Sequence, residues 1–248
     1  MKKIFVLAAM LLAMGAVLVG CGTSDEDVLI MATSADFPPF EFINDQGEFD
    51  GFDVHMARAI ADILGMELQI DDMVFDGVIV SVYTGAADVG IAAITVTEER
   101  LESVNFSIPY FQTALVAIVA YDSPITSTNQ LHEPGIAIAV QLGTTSDIMV
   151  EWYLPDADVV RMRTATDTIM ELSTGRSEAI VIDRGVAEQF IDTHPNLRIL
   201  PETLAYEEYA IVISQDNPEL LADINSALQQ LMDNGELQRI YDMFFGGE

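Results

Sequence analysis

Arg100 is the residue whose type and position most clearly suggest binding chemistry in this sequence. It follows an apolar run, Ile91 to Ile94, and two threonines in the stretch IAAITVTEER. A guanidinium group is planar and can donate two parallel hydrogen bonds to a carboxylate, which makes Arg100 a candidate anion-binding residue. An exposed arginine paired with Glu98 or Glu99 is the alternative, and position alone leaves both open.

Other polar residues follow separate predicted strands and suit the two charged ends of a zwitterion. Thr144 and Thr145 begin a predicted helix, where free N–H groups attract anions. Asp183 follows a buried strand and can pair with an ammonium group, whose remaining protons can bond the Ala93 carbonyl and the Thr95 hydroxyl. Capping of a helix N-terminus explains the threonines and Asp183 equally well at this stage.

Two phenylalanines belong to the same set of candidates. Phe37, near Ser34, follows the first predicted strand, and Phe75 follows the second. Flat apolar side chains exclude water and strengthen nearby ion pairs, although core packing explains either phenylalanine taken singly. Ligands of open α/β sheets bind beyond the carboxyl ends of the strands, so we expect all these residues to converge on one zwitterion site.

The elements that must position these residues alternate between strands and helices. Strands are predicted at 28–33, 67–70, 88–94, 136–140, 178–182 and 208–214, with helices at 52–64, 76–84, 166–172 and 186–193. This alternation predicts an α/β fold with parallel strands joined by right-handed crossovers. Residues 83–92 resemble 173–182, which indicates two similarly built lobes or a chance match.

The composition excludes several classes of function. The chain has 40 acidic and 10 basic residues, a formal net charge of −30, and no lysine after Lys3. This charge argues against nucleic acid and against anionic lipid surfaces as partners. We interpret it as an adaptation to a salty or alkaline exterior. His55, His132 and His194 are scattered, so we expect no metal, no cofactor and no catalytic residue.

The N-terminus has the pattern of a secretory signal peptide over residues 1–20. Lys2 and Lys3 precede an apolar run that ends in LVGC at Cys21 and is short for a membrane span. An uncleaved signal anchor is the alternative. The LVGC stretch resembles the bacterial lipobox, which implies a lipid on Cys21 and an anchored linker over 21–27. Cys21 is the only cysteine, so no intrachain disulfide is expected.

Eight stretches carry a resemblance to one family: FPPFEF at 37–42, GFDV at 51–54, FDGVI at 75–79, ITVTEER at 94–100, FSIPY at 106–110, QLGTT at 141–145, AIVID at 179–183 and EEYAI at 207–211. From Val28 to Phe245 the chain resembles the family-3 extracellular solute-binding proteins of polar amino-acid ABC importers. The resemblance implies a two-lobe, type II periplasmic-binding-protein-like fold, each lobe a mixed, mostly parallel sheet flanked by helices. Lobe 1 would comprise 28–117 and 209–248 and lobe 2 would comprise 118–208, with crossings near Ala117 and Tyr209.

The resemblance also implies a role for each candidate. Arg100 and Thr145 would bind an α-carboxylate, and Phe37 and Phe75 would enclose the ligand side chain. The α-ammonium would be bound by Asp183, Ala93 and Thr95.

Two positions bear on the ligand. Many relatives carry Thr-Asp where this chain has Thr33 and Ser34, and that acid often contacts the ligand side chain. Gln141 occupies a position that often faces the side chain, and an amide suits a neutral polar group. We therefore expect glutamine or another neutral polar amino acid ahead of acidic and then basic ones.

The leading prediction is a monomeric, lipid-anchored receptor on the outer face of the cell membrane. It would capture a free amino acid and deliver it to the transmembrane subunits of an ABC permease. The alternatives are an enzyme on the same fold, similar to a dehydratase or a lytic transglycosylase, or a ligand-sensing domain. An enzyme needs an acid or base that faces the cleft. Glu41 is the only candidate, and we expect it to be an exposed strand carboxylate.

Overall fold

A computed structural model describes residues 27–246, and Cys21 with the predicted signal peptide lies outside this range. The strands β1 to β14 of the described part are Val28–Thr33, Asp36–Phe37, Glu41–Ile43, Phe49–Asp50, Glu67–Asp72, Val89–Gly90, Val104–Phe106, Phe111–Ala120, Ala137–Gln141, Asp158–Met162, Ala179–Asp183, Leu197–Ile199, Ala205–Tyr209 and Val212–Ser214. The helices α1 to α8 are Phe52–Leu64, Phe75–Tyr83, Glu98–Leu101, Thr145–Tyr153, Ala165–Ser173, Arg184–Thr193, Pro218–Asp233 and Glu236–Phe245, and a 3-10 helix covers Thr128–His132. Within residues 27–246, none of these helices combines the length and apolarity that crossing a membrane requires.

The strands form two main sheets, one in each lobe of an α/β fold. The first has the order β5-β1-β6-β14-β7, with β5, β1 and β6 parallel and β14 antiparallel to its neighbours. The second has the order β10-β9-β11-β8-β12, with β9, β10 and β11 parallel. Helices flank both sheets, so the predicted α/β two-lobe fold with mixed sheets is confirmed.

Two strands lie side by side where the chain passes between the lobes. The first half of β8 pairs antiparallel with β13, and its second half pairs with β11. Ala117, near which the first crossing is predicted, pairs with Val181 inside the second sheet. The Tyr110 amide donates to the Tyr209 carbonyl over 2.9 Å. We propose that the lobe boundary lies at these two tyrosines.

An aromatic cluster packs around this crossing. Phe40, Phe111 and Phe245 have ring centroids 4.9 to 5.2 Å apart, and Tyr209 lies 5.2 Å from Phe40. Phe40 and Tyr209 are fully buried. Buried aromatic pairs combine large apolar area with defined geometry. The cluster therefore fixes the C-terminal helix α8 and the segment before Glu41 against the crossing strands.

Candidate functional site

A cavity lies between the lobes, and the space within its lining, including the part that is open to solvent, is about 320 Å³. It is lined by all ten residues selected from the sequence and by three others: Ser34, Phe37, Phe75, Ala93, Thr95, Arg100, Gln141, Thr144, Thr145 and Asp183, together with Asp36, Glu41 and Ala92. Its walls come from the ends of β1, β9 and β11 and from the starts of α2 and α4. The residues expected beyond the carboxyl ends of the strands therefore do lie together around one cavity.

Arg100 is buried at this cavity, only 8 % exposed. Its Nη1 donates to the Thr95 carbonyl over 2.7 Å, and its Nη2 donates to the Gly143 carbonyl over 3.1 Å. Its guanidinium carbon lies 5.6 Å from the centroid of the Phe75 ring, within cation–π range. Two carbonyls and one ring fix the plane of the guanidinium while leaving N–H donors for a ligand.

The alternative of a surface ion pair does not apply to Arg100. In the described part of the chain it makes no ion pair with Glu98 or Glu99 within 4.0 Å. Burial lowers the pKa of Arg100, and the negative charges of Glu207, Glu99 and Asp183 oppose this effect. Arginine nevertheless stays protonated in proteins, so the cavity contains a fixed positive charge.

Asp183 ends β11 on the lobe 2 side of the cavity and is 6 % exposed. The Tyr209 hydroxyl donates to its carboxylate, and its side chain forms no capping bond to α6. Burial and the nearby Glu207 raise the pKa of Asp183 to about 8, against the opposing effect of Arg100. The capping alternative is thus wrong for Asp183, whose carboxyl group is held toward the cavity.

Thr144 and Thr145 occupy the start of α4 and have different contacts. Thr144 is the N-cap: its hydroxyl accepts from the Asp147 amide over 3.3 Å and donates to the Gln141 carbonyl over 2.8 Å. Thr145 instead donates its hydroxyl to Glu207 over 2.9 Å. The capping reading therefore holds for Thr144, which lines the cavity as well.

Glu207 is an acidic residue that the sequence reasoning did not select. It lies on β13, and the same carboxylate oxygen accepts from the Thr95 hydroxyl over 2.7 Å and from Thr145. Burial raises its pKa, and both threonine bonds and Arg100 oppose that rise. Thr95 belongs to lobe 1 and Thr145 to lobe 2, so Glu207 connects the lobes beside Arg100.

Asp36 is a second acidic residue that was not selected. Its Oδ2 accepts from the Ala165 amide at the start of α5 over 2.6 Å, and its Oδ1 accepts from the Ser34 hydroxyl over 2.9 Å. Gln141 Nε2 lies 3.5 Å from the same Oδ2. Asp36 therefore joins lobe 1 to lobe 2 across the cavity, next to the position where an acid was sought at Ser34.

Glu41 corrects the sequence-based expectation of an exposed carboxylate. Its side chain is fully buried, at 0 % exposure, and it lines the cavity. Burial and then the nearby Asp53 and Asp36 raise its pKa well above the usual value. Ile43, two residues further along the same strand, is 46 % exposed. In this short hairpin the polarity of a residue therefore does not indicate whether its side chain is buried.

The remaining lining residues supply walls and one strained peptide. Phe37 and Phe75 are 8 % and 9 % exposed, and Phe37 also stacks 6.1 Å from Phe40, so it contributes to the core as well. Ala93 has a φ of 48°, and its amide donates to Asp53 over 2.8 Å. Left-handed conformations cost energy for alanine and persist only where the surroundings hold them.

Between residues 27 and 246, no cluster of three or more His, Cys, Asp or Glu side chains is arranged to hold a metal ion. Asp36, Asp183 and Glu207 accept hydrogen bonds from hydroxyl or amide groups of the protein.

The fold and the charged cavity between its lobes define a two-lobe solute-binding protein. The chain belongs to the bacterial extracellular solute-binding proteins, family 3, whose family model matches residues 29–247. Its homologues include amino-acid-binding proteins of ABC transporters.

Three relatives illustrate the similarity. The arginine-binding extracellular protein ArtP of Bacillus subtilis is 30 % identical over 244 residues, which cover 93 % of each chain. A mutant of ArgBP from T. maritima is 41 % identical with a TM-score of 0.85, over 89 % of this chain and 96 % of that one. An ancestral arginine-binding protein bound to glutamine is 36 % identical with a TM-score of 0.85, over 90 % and 99 % of the two chains.

Proposed function

We propose that this protein is the amino-acid receptor of an ABC importer. The observation that carries the proposal is the placement of the buried Arg100 on lobe 1 and the buried Asp183 on lobe 2, on the walls of one cavity. An amino acid presents a carboxylate and an ammonium group at a fixed separation. Closure of the two lobes on such a ligand would match each charge with its partner, as in hinge-type ligand capture.

In this arrangement the ligand carboxylate binds Arg100 and the start of α4 at Thr145. The ammonium group binds Asp183, with the Ala93 carbonyl and the Thr95 hydroxyl as further acceptors. Low exposure strengthens these charge-assisted bonds because little water competes for them. Phe37 and Phe75 enclose the ligand side chain.

The charges around the cavity support a ligand with a cationic side chain, such as arginine or lysine, ahead of glutamine. The sequence-based preference for a neutral ligand depended on the missing acid at Ser34. Asp36 lies two residues further on and lines the cavity, and Glu207 lies beside Arg100. Asp183 adds a third carboxyl group, which becomes ionised when it pairs with the ligand ammonium, so that these acids outnumber the one arginine. A zwitterion leaves that excess unchanged, whereas a cationic side chain reduces it.

Glu41 supports a second candidate, an enzyme on the same fold. A buried carboxyl group with a raised pKa that faces a cavity has the properties of a general acid. Mass spectrometry of ligands after long incubation distinguishes the candidates. A receptor returns its ligand unchanged, and a time-dependent product that disappears in Glu41→Gln supports the enzyme.

The predicted cellular setting is also part of the proposal. We infer removal of residues 1–20, a lipid on Cys21, and a monomer that docks on the permease from outside the membrane. Mass spectrometry of the native protein tests the lipid: Cys21→Ser should abolish the lipidated N-terminal peptide.

Isothermal titration against the twenty amino acids tests the proposed function. We expect arginine or lysine to bind most tightly, with glutamine weaker. If glutamine binds most tightly, the charge argument is wrong while the receptor proposal stands. If no amino acid binds, the receptor proposal is wrong.

A further inference from the structure

The Glu41 carboxyl group lacks a conventional partner although it is completely buried. Both of its oxygens are inaccessible, and neither accepts a hydrogen bond from any residue in the described part of the chain. An ionised carboxylate in such a place loses its hydration without replacement. A neutral carboxylic acid, by contrast, can donate its own proton to an acceptor.

Asp53, on α1, is the acceptor next to it. Its Oδ2 accepts from the Ala93 amide and from the Tyr110 hydroxyl, each over 2.8 Å. Its Oδ1 is buried and accepts from no conventional donor within residues 27–246. The Asp53 amide donates to the carbonyl of Phe40 over 2.9 Å, which places Asp53 beside the residue that follows, Glu41. A proton on Glu41 that is donated to Asp53 Oδ1 would satisfy both groups.

The surroundings favour a shared proton over two negative charges. Asp36 and Asp183 add negative charge near Glu41, and Tyr110 faces Asp53. Arg100 lines the same cavity but bonds Thr95 and Gly143. Burial raises the pKa of Asp53 to about 7 and that of Glu41 well above its usual value.

We propose that Glu41 and Asp53 hold a single proton between them beneath the cavity and act as positioning residues for the Ala93 peptide. The ionised Asp53 oxygen restrains the Ala93 amide in its left-handed conformation, with φ of 48°. This aims the Ala93 carbonyl at the ammonium group of the ligand, a step that rests on the proposed receptor function. Loss of the shared proton places two charges together, and amino-acid affinity then falls.

Glu41→Gln tests the proposal because its amide donates to Asp53 at every pH. Glu48→Gln is the control, since Glu48 is exposed in the turn of the same hairpin. Melting temperature without added ligand and the dissociation constant for arginine are measured between about pH 6 and 9. We expect Glu41→Gln to melt increasingly above wild type as pH rises. The ratio of wild-type to variant dissociation constants should also grow, up to about tenfold per pH unit once the proton is lost. The control should follow wild type.

Melting and infrared spectra keep this test separate from the receptor proposal. The infrared difference spectrum of wild type minus Glu41→Gln at neutral pH should contain the carbonyl band of a protonated carboxyl. Absence of that band, or a melting difference that is constant across pH, overturns the shared proton even if arginine binds. If the band is present but the ratio of dissociation constants is constant, the pair does not position Ala93.

Discussion

The pH dependence of ligand binding at Asp183 is the most quantitative consequence of the site. Its pKa of about 8 means that roughly one molecule in ten carries an ionised Asp183 at pH 7. An ammonium group pairs with the ionised form. Binding therefore releases up to one proton. Below pH 8, affinity should increase about tenfold, or ~1.4 kcal/mol, for each unit by which the pH is raised.

The same shift has an opposite effect on the protein without added ligand. The pKa of Asp183 is raised from 3.8 to about 8 in the folded protein. Its contribution to the free energy of unfolding is therefore full below about pH 4 and is lost progressively as pH rises to about 8. Melting temperature should fall over this range, and saturating ligand should reduce the fall.

Titration calorimetry at pH 6, 7 and 8, in buffers of different ionisation enthalpy, measures both affinity and proton release. Asp183→Asn should bind weakly and lose this rise with pH. Tyr209→Phe removes the hydroxyl that donates to Asp183 and lowers its pKa. The increase in affinity with pH should therefore extend to a higher pH in this variant than in wild type. A dissociation constant that is unchanged from pH 6 to 8 with no proton released, both in wild type and in Glu41→Gln, would refute the reasoning.

Three further predictions concern the fold and lobe closure. Gly51→Ala should lower the free energy of unfolding by more than about 4 kcal/mol in urea denaturation, because its Cβ would lie 2.2 Å from the Phe40 carbonyl oxygen. Gly47→Ala is the control, because its added Cβ would have no neighbouring atom within 4 Å. It should lower the free energy of unfolding by only about 1–2 kcal/mol, the cost of alanine at a positive φ. Equal losses of stability in the two variants would contradict the steric argument. Asp36→Ala removes the hydrogen bond from the Ala165 amide, which joins the two lobes. X-ray scattering of the arginine-bound protein should indicate a more open shape, and the affinity for arginine should fall about tenfold. Unchanged scattering and affinity would be evidence against a role of this contact in closure. The net charge of −30 should make melting temperature rise between about 0.05 and 1 M NaCl, and equal values would exclude relief of self-repulsion.

The sequence was informative wherever a candidate follows directly from a strand end. Asp183 ends β11, and Thr145 begins α4 four residues after β9 ends, so both lie at the carboxyl ends of strands, which meet in one crevice. Arg100 instead lies on α3, ten residues after β6 ends, because the strand predicted at 88–94 is only Val89–Gly90 in the structure. Helix bounds were also close: the helix predicted at 76–84 is Phe75–Tyr83 in the structure. These features depend on local patterns of apolar, small and capping residues.

The residues that were missed depend on contacts distant in sequence. Asp36 bonds Ala165, 129 positions away, and Glu207 bonds Thr95, 112 positions away. Neighbouring glutamates on β13 also differ, since Glu207 accepts hydrogen bonds from Thr95 and Thr145, whereas Glu208 is exposed. Only the register of β13 on β8 distinguishes them, and a single sequence does not specify that register.

The apolar run at 208–214 likewise predicted one strand, but the structure has two. β13 belongs to the second sheet and β14 to the first, and Ala210 and Ile211 lie between these two strands. Both residues are fully buried, like a strand interior. The apolar run therefore indicates burial here, but it does not indicate that its two ends belong to different sheets.

The central claim is that Arg100 binds the carboxylate of the ligand. The most direct test is calorimetric titration of Arg100→Ala with the amino acid that wild type binds most tightly, beside Arg58→Ala, an exposed arginine on α1. Loss of one partner of a buried ion pair costs about 3–5 kcal/mol. The Arg100 variant should therefore bind at least 100-fold more weakly while still unfolding in a cooperative transition, whereas Arg58→Ala should match wild type. Binding by Arg100→Ala within about threefold of wild type would contradict the account.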